Sequence, residues 1–249
     1  MIALLTDFGY KDPFVGIMKA VILSINPDAL IVDLSHGISA QNIKEASIVL
    51  KESYMYFPKK TIFLIVVDPG VGSQRRPILV DAQDRYFICP DNGVVSGALI
   101  EGFRAFHLTK KKYFLPPIGT TFHGRDIFAP VAGWLSKGKR PSEFGKQIKD
   151  IVKIPLPEPQ YRDGSLVGEV IYIDGFGNAI TNLRGIPKGD IIFRKNKIPR
   201  VSFYKEAEGR GLSSVVNSSG LIELFIYGGS ASSRYKIGIG EKVRVKTSY

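Results

Sequence analysis

The chain has 249 residues, 44% of them hydrophobic, with 34 Lys+Arg against 23 Asp+Glu and one cysteine. These figures exclude a disordered or collagen-like chain, and the single cysteine, Cys89, excludes an intrachain disulfide framework and a multi-cysteine zinc site. The formal charge of +11 raises a polyanionic partner, but residues 1–149 carry 19 basic against 13 acidic residues and residues 150–249 carry 15 against 10, so the excess reads as an evenly solvated surface.

The elements alternate at first. Residues 2–5 form a short apolar run, ended by Thr6, Asp7, Phe8 and Gly9. Pro13 is placed to open a helix reaching about Asn26. Residues 29–34 read as a second buried strand. Residues 40–56 read as a helix with Ile43, Ala46, Ile48, Val49 and Leu50 on its apolar face. Residues 61–67 form a β-branched third strand that stops at Asp68, Pro69 and Gly70. Residues 77–80 and 86–88 read as strands around the polar turn at Ala82, Gln83 and Asp84. Residues 126–135 read as a helix that Pro130 kinks or begins. This alternation predicts an α/β domain, a mostly parallel sheet flanked by helices, over residues 1–152.

Pro155, Pro157 and Pro159 then predict an extended linker over 153–164. Beyond it, strand signals at 167–173, 179–183, 190–193, 201–204, 221–226 and 242–246 predict a smaller all-β, barrel-like domain over 165–249. The N-terminal residues have no basic n-region, and the apolar run at 62–67 is far shorter than a bilayer span. A soluble cytoplasmic chain is expected, with neither membrane nor nucleic acid as partner.

Ligands of open parallel sheets bind beyond the carboxyl ends of the strands. Three such loops here are rich in functional groups. One carries Asp7 and Asp12, one Asp33 and His36, and one Asp68, Gly70, Gly72 and Arg75. A fourth cluster, with His123, Arg125 and Asp126, opens a helix whose first N–H groups can face a ligand. Bland roles compete. Asp12 can cap a helix, His36 can be a satisfied loop histidine, and Arg75 can pair with a surface carboxylate. The loop at Gly70 lacks the phosphate-loop pattern, no GxSxG elbow occurs, and no HExxH supports zinc. An oxygen-rich Mg²⁺ or Mn²⁺ site from Asp7, Asp12, Asp33, Asp68 and His36 is a minor alternative. The expectation is no metal and no cofactor.

Seven strings, LLTDFG with DPFVG, DLSHGI, VVDPGVGSQRR, CPDNGV, TTFHGRDIFAP, IDGFGNAITN and NSSGLIEL, run in order over nearly the whole chain. In them the chain resembles the S-adenosylmethionine hydroxide adenosyltransferase family, the adenosine-forming S-adenosylmethionine hydrolases, whose relatives are fluorinases and chlorinases. The resemblance implies that water or hydroxide attacks C5′ of S-adenosylmethionine, giving adenosine and L-methionine. It assigns the water to Asp68, Arg75 and His123. Asp68 and His123 would hold and polarise it, and Arg75 would keep Asp68 ionised. The halogenases replace this set and carry an extra loop, whereas here the segment 92–120 is short.

The resemblance further implies that Asp7 holds the ribose hydroxyls and Asp12 lies near the methionine end. Asp174 would meet the methionine ammonium. Phe176 would stack on adenine, Asn178 would bond it, and Phe203 or Tyr204 would supply the other face. Ser218 matches a methionine-carboxylate position, but its neighbour is Ser219 where the halogenases have arginine. The backbone from Gly228 to Ala231 would reach the adenine edge. The substrate itself is the only small molecule implied. A homotrimer with inter-subunit sites is implied as well.

Overall fold

The computed structural model describes residues 1–99, 102–185 and 189–247. The chain divides into two compact units, Met1–Leu156 and Pro157–Tyr249.

The first unit is built on seven strands: β1 (Ile2–Thr6), β2 (Ile31–Ser35), β3 (Ile62–Val66), β4 (Pro77–Ala82), β5 (Arg85–Pro90), β6 (Arg104–His107) and β7 (Gln147–Ile148). Their order is β2-β1-β3-β5-β4-β6-β7. The pairs among β2, β1, β3 and β5 are parallel. Those joining β5, β4, β6 and β7 are antiparallel. The change of sense has a local cause. Gln83 and Asp84 both take positive φ, 52° and 59°. Two such residues make the tight turn that suits strand twist, so β4 and β5 form a hairpin.

Three helices cover the sheet. α1 (Phe14–Ile25) begins directly after Pro13 and buries Val15, Met18 and Ile22 at helical spacing. α2 (Ile43–Ser53) is capped by Asn42, whose Oδ1 accepts the Glu45 N–H at 3.0 Å. It is shorter than the expected 40–56, because the chain tightens into a 3₁₀ turn at Tyr54–Tyr56. α3 (Ala129–Ser136) has Pro130 in its first turn, where a missing N–H costs nothing. A π-helical turn, Gly124–Phe128, precedes it, so the helical segment starts earlier than expected. Period-two alternation in β1 and β3 feeds two cores. Ile2, Leu4, Ile62 and Leu64 face α1 and α3. Ala3, Leu5, Phe63 and Ile65 face α2.

The named strands of the second unit all pair antiparallel, and one parallel bridge, Arg200 to Ser214, joins the ends of the sheet. Its strands are β8 (Gln160–Arg162), β9 (Ser165–Ile173), β10 (Ala179–Arg184), β11 (Gly189–Phe193), β12 (Asn196–Ile198), β13 (Ser213–Val216), β14 (Leu221–Phe225) and β15 (Lys242–Thr247), with α4 at Ala231–Tyr235. The order is β12-β11-β15-β9-β10-β14-β13, and β8 pairs with β9. The two ends of this path meet. The Val201 N–H donates to the Ser214 carbonyl at 2.9 Å, and the Ser214 N–H to Pro199 at 2.8 Å. The sheet thereby curls into a barrel around Val170, Leu183, Ile222, Leu224 and Val243.

Three local expectations change. Residues 160–162, expected as linker, pair with β9 through a turn at Asp163 and Gly164, both at positive φ. Residues 201–204, expected as a strand, join the sheet only at Val201. The Ser202 N–H instead donates to the Glu206 carboxylate at 2.7 Å, and Tyr204–Ala207 curls into a 3₁₀ turn. β12, β13 and α4 lie where no element was expected, as do β6 and β7 in the first unit.

Candidate active site

Three carboxylates sit where the parallel strands end. Asp7 follows β1, Asp33 lies near the end of β2, and Asp68 follows β3 shortly beyond Val66. Asp68 is held by Arg75 across the intervening turn. The Arg75 Nε donates to Asp68 Oδ1 at 2.9 Å, and Nη2 donates to Oδ2. The same Nη2 lies 2.8 Å from His123 Nδ1. Both ion-pair side chains are over nine-tenths buried, at 5% and 8% exposure. The guanidinium also lies over the Phe128 ring, 5.2 Å from its centroid. The bland reading of Arg75 as a surface pair therefore fails, and the three residues singled out from sequence are one bonded cluster.

The bonding fixes protonation. Arginine only donates, so His123 Nδ1 accepts and the imidazole proton resides on Nε2. Burial lowers the His123 pKa, and the Arg75 charge lowers it further, against weaker opposition from Asp68 and a hydrogen bond to the Gly119 backbone. The ring is neutral at pH 7. Arg75 Nη1 is buried without a hydrogen-bond partner among the described residues.

Local sequence brings these loops together. Gly70 passes over Arg75, where a Cβ would come 3.3 Å from its Cγ. Gly72 takes φ +78°, and a Cβ there would lie 2.2 Å from the Thr120 carbonyl oxygen, so only glycine lets the loop of Arg75 meet the loop of His123. Asn92 Nδ2 donates to the Val67 carbonyl at 2.9 Å, beside Asp68. Asp91 accepts Arg76 Nε at 2.8 Å and the Val152 N–H at 2.8 Å. The Asp91–Asn92–Gly93 turn thus braces the site. Cys89 is buried behind it, and burial pushes its thiol well above the ordinary range.

The other loops differ in exposure. Asp7 Oδ2 accepts the Gln41 N–H at 2.7 Å. Asp12 is exposed in the turn before α1. His36 is buried, with Nδ1 2.7 Å from Thr6 Oγ1 and Nε2 3.0 Å from Asp33 Oδ1. It is a buried loop histidine tied to Thr6, and its Nε2 meets Asp33 at ion-pair distance but outside hydrogen-bond geometry. Burial alone would raise the Asp33 carboxyl, but the Lys19 hydrogen bond and the adjacent His36 imidazole hold it below its ordinary range. Asp33 also accepts the hydroxyl of exposed Tyr10 at 3.2 Å.

The second unit holds a cavity of about 540 Å³, within the range of small-molecule sites. Asp174, Phe176, Asn178, Tyr204 and Phe225 line it together with residues 226–230. Asp174 Oδ1 accepts the N–H groups of Phe176 and Asn178 at 2.9 and 2.8 Å, and Oδ2 accepts Asn178 Nδ2 at 3.0 Å. This carboxylate therefore folds its own turn, a role its motif does not announce. Gly177, at φ +82°, lets that turn approach Ser230, whose Oγ a Cβ would meet at 2.0 Å. Phe176 projects with 82% of its surface exposed. Of Phe203 and Tyr204, the cavity wall takes Tyr204. Phe203 is exposed outside it, Ser218 is exposed in the turn after β13, Gly228 lines the cavity, and Ala231 is buried at the start of α4. Phe225, Ile226 and Tyr227 line the cavity unanticipated, whereas Ser230 falls within the expected 228–231 stretch. For Ser230 a sequence signal existed, since serine before a short polar run marks a helix cap, and its Oγ accepts the Ser233 N–H at 3.1 Å.

Among the described residues no three His, Cys, Asp or Glu side chains converge as a metal site. No described helix is long and apolar enough to cross a membrane.

Comparison with known proteins places this architecture. Residues 2–145 match the SAM hydroxide adenosyltransferase N-terminal domain, and residues 168–244 match the C-terminal domain of the same family. A Thermus thermophilus protein named (R)-S-adenosyl-L-methionine hydrolase is 36% identical, covering 97% of both chains. A Methanocaldococcus jannaschii protein of the same name is 31% identical, covering 98% of this chain and 95% of its own. A protein named fluorinase from Actinoplanes is 26% identical over 74% of this chain and 71% of its own. A crystal structure of an uncharacterized conserved protein from Thermotoga maritima superposes with a TM-score of 0.90 at 30% identity, covering 98% of this chain and 99% of that one. By both of its domains the chain belongs to the S-adenosylmethionine hydroxide adenosyltransferase family.

Proposed function

We propose that the chain hydrolyses S-adenosyl-L-methionine to adenosine and L-methionine. The observation that carries this reading is the buried Asp68–Arg75–His123 cluster at the strand ends. A water oxygen attacks C5′, the C5′–S bond breaks, and methionine leaves as a neutral thioether. Such a leaving group needs no proton, so the site requires only a base and a positioned water. Asp68 is the base. Arg75 takes one lone pair on each Asp68 oxygen and leaves others open, whereas the Nδ1 lone pair of His123 already faces Arg75. Arg75 Nη1 supplies a donor for the water. His123 holds Arg75 in place.

Asp7, at the end of β1, would take the ribose hydroxyls, and Asp12 would approach the cationic methionine end. In the second-unit cavity, Phe176 and Tyr204 present aromatic faces to adenine, with Asn178 and the backbone at Gly228 as polar partners. Phe203, Ser218, Asp174 and Ala231 complete the inventory by resemblance. The relatives' names point to the (R) sulfonium epimer as substrate. A homotrimer whose sites join the first unit of one subunit to the second unit of its neighbour is supported by ligand residues falling in both units. A cytoplasmic setting agrees with a lone, buried Cys89.

The test is to incubate the protein with resolved (R) and (S) epimers and to chromatograph the products. Equimolar adenosine and methionine from the (R) epimer, lost in Asp68→Asn, is the expected result. Halide-dependent formation of a 5′-halo-nucleoside, or binding without turnover, would overturn the proposal.

A further inference from the structure

Glu223 is the most buried acidic side chain beside the second-unit cavity, yet it does not line that cavity. It lies on β14, opposite Ile180 of β10 and Val215 of β13, with 3% of its surface exposed. Burial raises its pKa, and hydrogen bonds from Tyr204 and Asn217 partly oppose that rise. A carboxyl at this depth is costly unless its oxygens are bonded. The Tyr204 hydroxyl donates to its Oε1 at 3.0 Å.

Tyr204 belongs to a segment with few anchors of its own. Only Val201 and Ala207 are buried, against Val215 and Phe225. Its ring meets Phe225 edge-on, with centroids 4.8 Å apart and planes at 86°. Both rings line the cavity. The hydroxyl bond to Glu223 therefore selects the orientation in which the Tyr204 face forms the cavity wall. The carboxylate also bonds Asn217, whose Oδ1 accepts the N–H groups of Ser219 and Leu221 at 3.0 Å each. One buried group ties the wall to the turn after β13.

We propose that Glu223 is a positioning residue that presets the Tyr204 ring as a rigid wall of the cavity and so sets nucleoside affinity without touching the nucleoside. This rests on the reading of the cavity as the adenosine site. Ordering a side chain before binding rather than during it changes affinity by about 3- to 10-fold.

The experiment measures adenosine binding to the full chain by calorimetry, together with KM and kcat for the hydrolysis. Glu223→Leu and Tyr204→Phe are each expected to weaken adenosine by about 3- to 10-fold. The double variant should lose no more than either single one, because both remove the same bond. Glu223→Gln, which keeps an acceptor for the tyrosine hydroxyl, should restore most of the affinity. In Glu223→Leu the loss should appear in KM and not in kcat. Additive losses, or a fall in kcat at unchanged affinity, would overturn the assignment. Should Glu223→Leu fail to fold, Tyr204→Phe with wild-type affinity overturns it alone. Failure of adenosine to bind the unmodified chain would sink the nucleoside reading itself, a result distinct from normal binding that ignores Tyr204→Phe.

Discussion

Replacing Gly72 by alanine tests whether the meeting of two loops governs catalysis. The new Cβ would lie 2.2 Å from the Thr120 carbonyl oxygen, where ordinary contact begins at 3.4 Å, so the loops must part by about 1.2 Å. One loop carries Arg75 and the other His123, and their 2.8 Å hydrogen bond cannot survive that separation. The left-handed backbone at φ +78° adds about 1 kcal/mol for any residue with a Cβ. A lost hydrogen bond to a charged group adds about 1.5–3 kcal/mol. Gly72→Ala should therefore destabilise the chain by about 2.5–4 kcal/mol. A displacement near 1 Å should lower kcat by about 100-fold. Gly138, at φ +91° with nothing within 4 Å of where a Cβ would stand, is the control for the backbone cost alone. Gly138→Ala should lose about 1 kcal/mol and keep its turnover. Urea unfolding and adenosine release at saturating substrate measure both quantities. Gly72→Ala with wild-type kcat would refute the reasoning.

Other consequences are as direct. Arg75→Lys replaces a planar fork by a single ammonium, so it cannot bond both Asp68 oxygens and His123 together, and kcat should fall by about 100-fold or more, read by product release at saturating substrate. The folded His123 resists protonation, so its contribution to stability is complete above the unfolded value near 6.5 and is lost as pH falls through the lower folded value. Turnover should accordingly stay level from about pH 8 to below 6.5, and an acid limb centred at or above the free-histidine value would contradict the assigned bonding. Cys89 should resist iodoacetamide in the native protein and react once urea unfolds it, because the thiol is buried and its pKa raised; alkylation of the native chain, seen as a mass shift, would count against its placement.

The first unit was largely legible because its strands are continuous apolar runs and its helices show helical spacing. Ile62–Val66 and the helix after Pro13 are cases where pattern alone suffices. The antiparallel half was less so, since the sense of β4 depends on positive φ at Gln83 and Asp84, residues without the glycine that usually marks such a turn. In the second unit, Asp163 and Gly164 did carry a hairpin signal, and the flanking prolines masked it. Residues 201–204 have strand composition, but the Glu206 side chain captures the Ser202 N–H and tertiary bonding overrides propensity. For the site, motif strings brought Asp68, Arg75 and His123 into view. Their protonation pattern depends on distances between residues far apart in sequence. Glu223 stayed hidden because one acidic residue in an otherwise apolar strand has no spacing to betray it.

The separations within the Asp68–Arg75–His123 cluster bear on how it assembles. Asp68 and Arg75 are 7 residues apart, whereas Arg75 and His123 are 48 apart. Closing the longer loop costs about 1.7 kcal/mol more chain entropy than the shorter one. The carboxylate–guanidinium pair is thus a local product of its own turn, and the histidine arrives only with the tertiary fold. Partial opening of the segment around Thr120 would strip the imidazole from the cluster while the ion pair persists, so hydrogen exchange should report loss of order at His123 before loss at Asp68.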